Sequence, residues 1–204
     1  MDELEFLNAV REGDVQTVRR RLQAGRDVNK RFTRSLYGWT ALHKASSSWN
    51  TEMVKLLIKL GANVETRSAD GGTALHMASR SGNTEVVKLL ILHRANVEVT
   101  SKDGRTALHM ASRSGNTEAV KLLIQHRANV EAKDQSGWTA LHMASRSWNT
   151  EMVKLLILHR ANVEAKDMDG RTALHEASLH EDTEMVKLLI QLGADVEAKD
   201  KKRQ

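Results

Sequence analysis

The chain has 204 residues, of which 40% are hydrophobic and 28% are charged, as in proteins that bury a core. It contains no cysteine, which excludes a disulfide framework, a zinc–thiolate site and a cysteine nucleophile. The net charge of +5 favours acidic partners but is too small to indicate nucleic-acid binding.

No apolar run approaches the roughly 20 residues that cross a bilayer. The N-terminal sequence MDELEF is acidic and lacks the apolar segment of a secretory signal. We therefore expect a soluble chain in the cytoplasm, or one made by cytosolic expression, with no membrane partner.

The tetrapeptide Thr-Ala-Leu-His recurs five times with a period of 33 residues, starting at Thr40, Thr73, Thr106, Thr139 and Thr172. This period predicts one repeat domain over 1–204. Its parts are a divergent N-terminal capping repeat 1 (1–34), internal repeats 2 to 5 (35–67, 68–100, 101–133, 134–166), a capping-type repeat 6 (167–199) and a tail (200–204). Repeats 4 and 5 differ at only 7 of 33 positions.

Repeats 2 to 6 each predict the same elements in the same order, and repeat 3 serves as the example. Gly71, two residues before the threonine, marks a tight turn. Thr73 lies at the N-cap of a first short helix. Asn83 marks the start of a second helix, whose apolar face includes Val87, Leu89, Leu90 and Ile91. One such helix pair cannot bury its own apolar face, so stacked neighbours must share a core.

The end repeats carry more charge than the internal ones. Repeat 1 places Arg19, Arg20 and Arg21 beside its apolar positions, and repeat 6 introduces Glu176 and residues 181–182, both acidic. We expect both to be solubilising caps of the array.

The period, the motif Asp-x-x-Gly-x-Thr-x-Leu-His (as at 167–175) and the pattern Val-x-Leu-Leu-Ile followed by Gly-Ala-x-Val resemble ankyrin repeats, from about Asp2 to Lys199. The resemblance implies an all-α solenoid of six repeats, each with two antiparallel helices and a projecting β-hairpin loop. It also implies that hairpins and inner helices line a concave surface that binds proteins.

Two departures from the family pattern concern backbone conformation. Alanine stands where the family favours proline, as at Ala74, and should be tolerated because alanine is a good helix former. Arg94, Arg127 and Arg160 stand where the family favours glycine at the end of the second helix. If they adopt positive φ, each costs about 1 kcal/mol relative to glycine.

The histidines and serines that recur in repeats 2 to 6 predict scaffold rather than chemistry. The histidine of Thr-Ala-Leu-His is expected to tie its threonine to a neighbouring loop. Successive copies, about 8–10 Å apart, are too distant to share a metal ion. The chain has neither a phosphate-binding GxxxxGK[ST] loop nor an HExxH motif. We predict no enzyme activity, no catalytic residue, no metal and no cofactor.

Positions that vary between repeats are the candidates for recognition, because the invariant ones build the scaffold. Tryptophans supply anchors, methionines an adaptable apolar floor and basic residues a cationic rim. The candidate protein-binding residues are Trp39, Lys44, Met77, Arg80, Arg105, Met110, Arg113, Trp138, Met143, Arg146, Trp148 and Arg171. The alternatives are that methionines pack within helices, arginines form a solvated face, and Trp49 and Trp148 cover a helix turn.

These residues predict a protein partner, a surface or a helix with apolar anchors and acidic neighbours. The near-identical repeats without cysteine favour an engineered or consensus-derived binder that acts as a monomer. The alternatives are a natural adaptor that arose by recent duplication, or a polyanion binder that uses the arginines. The sequence does not identify the target.

Overall fold

The computed structural model describes residues 3–32 and 37–201. The chain divides into two compact units, Met1–Lys102 and Asp103–Gln204, which we name the N-terminal and C-terminal units. The N-terminal unit contains repeats 1 to 3 and the C-terminal unit repeats 4 to 6. Whether the whole chain acts as one domain stays a prediction.

The N-terminal unit is built from three helix pairs arranged in two layers. The inner helices α1 (Glu3–Glu12), α3 (Ala41–Ser47) and α5 (Ala74–Ser81) pack side by side, as do the outer helices α2 (Val15–Gln23), α4 (Thr51–Lys59) and α6 (Thr84–Leu92). Leu42, Leu57 and Leu90 are fully buried between the layers. In repeat 1 the Phe6 and Phe32 rings close this core, with centroids 6.2 Å apart.

The C-terminal unit repeats this arrangement. Its inner helices are α7 (Ala107–Ser114), α9 (Ala140–Arg146) and α11 (Ala173–Leu179), and its outer helices are α8 (Thr117–Gln125), α10 (Thr150–Leu158) and α12 (Thr183–Gln191). Leu108, Leu123, Leu141, Leu156 and Leu189 form its core. The predicted all-α fold of six helix-turn-helix repeats is therefore confirmed over the described residues.

Helix caps explain why the repeated polar residues recur. Thr139 caps α9, and its backbone N–H donates to Nδ1 of His142 over 3.2 Å. Because Nδ1 is an acceptor, the proton of the neutral ring is on Nε2, which donates to the carbonyl of Arg171 in the next repeat over 3.1 Å. The predicted structural role of this histidine is confirmed. Asn149 caps α10 by accepting from the Met152 N–H.

The loops between repeats form tight hairpin turns without strands. Asp134 N–H donates to the Trp138 carbonyl and Gly137 N–H to the Asp134 carbonyl, each over 2.9 Å. The next loop joins through a bond from the Met168 N–H to the Ser136 carbonyl. The described residues contain no β-strand, in contrast to the implied β-hairpins. Each arm is too short to build a ladder of hydrogen bonds.

The positive φ considered for the arginines at the ends of the second helices is found. Arg94, Arg127 and Arg160 adopt left-handed backbone conformations with φ of 64°, 67° and 67°. Gly61 and Gly193 occupy the same position in repeats 2 and 6, with φ of 88° and 95°.

Repeat 6 differs from the expected solubilising cap. Glu176 is only 3% exposed, because it occupies the inner-helix position that is also buried at Met143. Asp182 is buried too and caps α12 by accepting from the Met185 N–H. Leu179 and Val196 are each 61% exposed. The end of this unit therefore presents apolar surface. Of the three acidic residues expected to solubilise it, Glu176 and Asp182 are buried, whereas Glu181 is exposed.

Candidate protein-binding site

A pocket of about 220 Å³ lies in the C-terminal unit, beside the loop that leads into α9. Arg113 reaches it from α7, whereas Met143 and Arg146 reach it from α9. The full lining is Arg105, Arg113, Asp134, Ser136, Trp138, Met143 and Arg146. Five of these seven residues are among the predicted recognition residues, so the structure brings together side chains that are far apart in sequence.

Asp134 organises the loop that carries Trp138. Its Oδ1 accepts the backbone N–H groups of Ser136 and Trp138, each over 2.9 Å. Its Oδ2 accepts from Nε of Arg105 over 3.2 Å, and the side chain is only 2% exposed. Sequence reasoning missed this residue. The signal in the sequence was the aspartate at the start of repeats 5 and 6. An aspartate side chain stabilises a turn by accepting hydrogen bonds from the backbone N–H groups that follow it.

Trp138 is half-buried and held from several sides. Its carbonyl accepts from Nε2 of His109 over 2.9 Å. The Arg146 guanidinium lies over the indole, with Cζ 5.6 Å from the ring centroid. The ring of His142 is 5.9 Å away. Cation–π contact and backbone hydrogen bonds thus position the indole at the pocket wall.

The arginines of the pocket fall into two classes. Arg105 is 28% exposed and pairs with Asp103 over 3.0 Å and Asp134 over 3.2 Å. Arg113 and Arg146 are exposed. Within 3–32 and 37–201, no carboxylate forms an ion pair with either of them. The site therefore holds one neutralised arginine and two arginines that are open to a ligand.

In the N-terminal unit, Trp39 has different neighbours. Nζ of Lys44 is 5.8 Å from its ring centroid, and the Tyr37 ring is also 5.8 Å away. The indole N–H of Trp39 is buried and has no hydrogen-bond partner among the described residues. Arg80 is exposed, with Nη2 3.8 Å from Sδ of Met77. Among the described residues of this unit, a lysine and no arginine lies over the tryptophan.

The methionines do not form the expected open floor. Met77 and Met143 are 4% and 3% exposed, whereas Met110 is half-buried. In repeat 3, Met77 covers Gly72 so closely that a Cβ there would lie 3.0 Å from its Cε. These side chains pack within the helix layer, as the alternative interpretation held. Only the edge of Met143 reaches the pocket.

Trp148 and Arg171 lie outside this pocket. Trp148 is 64% exposed and has φ of 60°, at the position where repeat 4 has Gly115 with φ of 75°. Most of the indole surface therefore faces solvent. Nη1 of Arg171 is 3.9 Å from Oε1 of the buried Glu176. Arg171 lines a separate pocket of about 330 Å³ at the end of repeat 6.

The titratable groups near the pocket match a scaffold role. Burial lowers the pKa of His109 and of His142 below the ordinary value, which keeps both rings neutral. Over the described ranges, no three histidine, aspartate or glutamate side chains are grouped to hold a metal ion. None of the helices in those ranges combines the length and apolarity that a membrane span requires.

The sequence was compared with known proteins. The family model described as ankyrin repeats in three copies matches residues 6–103, 90–167 and 128–200, which together span nearly the whole chain. A comparison with curated proteins finds no significant match. The helix pairs, the threonine–histidine caps and this match lead to one conclusion: the chain belongs to the ankyrin-repeat family.

Proposed function

We propose that this protein is a non-enzymatic binding module that recognises a protein partner through the pocket around Trp138. Ankyrin repeats generally mediate protein–protein interaction. The observation that carries the proposal is the convergence of Trp138, Arg113 and Arg146 on one pocket of about 220 Å³. Tryptophan and arginine are the side chains that most often dominate binding energy at interfaces.

The chemistry of the pocket defines the kind of partner. The half-buried indole offers apolar surface, and the two exposed guanidinium groups offer charged donors. A protein surface or helix with an apolar anchor beside acidic side chains complements both. Because Met77 and Met143 are buried, the methionines do not supply the predicted apolar floor. The tryptophan and the arginines supply the contacts with the partner instead.

The test is a comparison of partner capture by three forms of the full chain. The triple variant W138A/R113A/R146A removes the pocket, whereas K88A/K154A removes two exposed outer-helix lysines as a matched control. Proteins held by the wild type and by the control should be lost with the triple variant, and purified partner should bind it at least about tenfold more weakly. Equal affinity for all three forms would refute the proposal, provided that thermal unfolding shows each variant to be folded.

A second candidate function is polyanion binding, which the exposed Arg113 and Arg146 and the net charge of +5 favour. A nucleic acid would bind with an affinity that falls steeply as salt rises. Binding of a protein that is nearly independent of salt would exclude it.

The near identity of the repeats supports a consensus-derived, engineered origin, and we further propose that the chain acts as a monomer in the cytoplasm. The alternative is a natural adaptor formed by recent duplication. Duplication predicts that repeats 4 and 5 also share synonymous codons, whereas a synthetic gene predicts codon choices that differ between them. Sedimentation at several concentrations tests the monomer.

A further inference from the structure

We propose that the pocket around Trp138 receives one carboxylate side chain of the partner, glutamate or aspartate, bound by Arg113 and Arg146. This inference rests on the proposed function and names the group that the site recognises. It follows from the charges, the position of Arg146 beside Trp138 and the size of the pocket.

The charges around the pocket leave one positive charge without a complement. Three guanidinium groups line it, and Arg105 is neutralised by Asp103 and Asp134. Two carboxylates against three guanidinium groups leave a net charge of one. A monoanionic carboxylate neutralises this charge, whereas a dianionic phosphate would leave the site with a net negative charge.

The position of Arg146 beside Trp138 leaves its donors available. The indole faces the guanidinium group, with Cζ 5.6 Å from the ring centroid. The N–H donors of a guanidinium group lie in its plane, and no carboxylate of the described residues pairs with Arg146. A carboxylate accepts two such donors side by side, so Arg146 offers the pair of donors that this anion binds.

The size of the pocket fits one side chain. Small-molecule sites typically enclose about 300–1,000 Å³, whereas this pocket measures about 220 Å³. It is nevertheless far larger than the roughly 30 Å³ that one water occupies. Trp138 and the edge of Met143 provide apolar wall for the methylene groups of an acidic side chain.

The test uses three small probes on the full-length protein and follows the indole N–H signal of Trp138 by NMR, assigned with W138F. The probes are the N-acetyl N-methylamides of glutamate, glutamine and phosphoserine. The pocket variant is R113Q/R146Q. The matched control is K88Q/K154Q, which removes the same number of positive charges from two exposed lysines of the outer helices.

The glutamate probe should shift the Trp138 signal saturably, and the glutamine probe should not. R113Q/R146Q should weaken this binding by at least about tenfold, and K88Q/K154Q should leave it unchanged. Equal shifts with glutamate and glutamine, unchanged binding to R113Q/R146Q, or tighter binding of phosphoserine than of glutamate would each overturn the inference. Signals outside the pocket report whether the variant is folded.

The two proposals fail separately. If the triple variant loses the partner but the glutamate and glutamine probes behave alike, carboxylate recognition is wrong and the binding function stands. If the probes behave as expected but the triple variant captures the partner as well as the wild type does, the pocket binds carboxylate but is not the site that binds the partner.

Discussion

Replacing Arg94, Arg127 and Arg160 by glycine should stabilise the protein. All three have left-handed backbone conformations, with φ of 64°, 67° and 67°. An L-residue there pays about 1–2 kcal/mol because its Cβ approaches the backbone carbonyl. Glycine avoids this cost, but its greater conformational freedom in the unfolded chain lowers the free energy of unfolding by about 0.4–1 kcal/mol.

The structure limits the remaining contributions to this balance. The three arginine side chains are exposed, so little packing is lost. Space around the position is open, because a Cβ at the equivalent Gly61 or Gly193 would meet no atom within 4 Å. The net gain is therefore about 1 kcal/mol for each substitution. In a chain of 204 residues this raises the melting temperature by about 2–4 °C for each site.

Thermal and urea unfolding of the triple glycine variant provide the assay. The matched control replaces the same residues by alanine, which removes the charge but keeps the Cβ and should leave stability nearly unchanged. The reciprocal variant G61A should lose about 1 kcal/mol. A triple glycine variant that melts no higher than the triple alanine variant would refute the strain argument.

Three further predictions concern stability. W148G should gain about 1 kcal/mol by relieving φ of 60°, whereas W148A should not, and equal melting of the two would contradict this. Burial lowers the pKa of His43, His109 and His142 below the unfolded value. The unfolded chain therefore binds protons first, and stability should fall as pH drops below about 6.5, by up to about 1.4 kcal/mol per pH unit for each residue. Urea unfolding at pH 7.5 and 5.5 tests this, and equal midpoints would exclude it. D134N should cost about 1–3 kcal/mol, because Oδ2 accepts from Arg105 at a nearly buried position; unchanged urea midpoints would show that this contact contributes nothing.

Most of the fold could be predicted from the repeat period. An interval of 33 residues with a recurring turn glycine, N-cap threonine and N-cap asparagine marks where each helix starts, because these signals act through neighbouring backbone groups. Comparison between repeats likewise pointed to positive φ at Arg94, Arg127 and Arg160, because other repeats have glycine at the same position. The strands implied by the family resemblance were not found in the described residues.

The exposure of each variable side chain was decided by packing between repeats. Met77, Met143 and Glu176 occupy the equivalent position of their repeats, four residues after the threonine. All three side chains are buried, although the sequence pattern predicted that each would be exposed. The same packing placed Asp134 against Arg105, over 3.2 Å and across 29 positions of the chain. The sequence by itself determined where helices begin and turn, because those signals are local. Only the tertiary structure decided which arginines remain open to a partner, because charge pairing depends on residues that sequence separates.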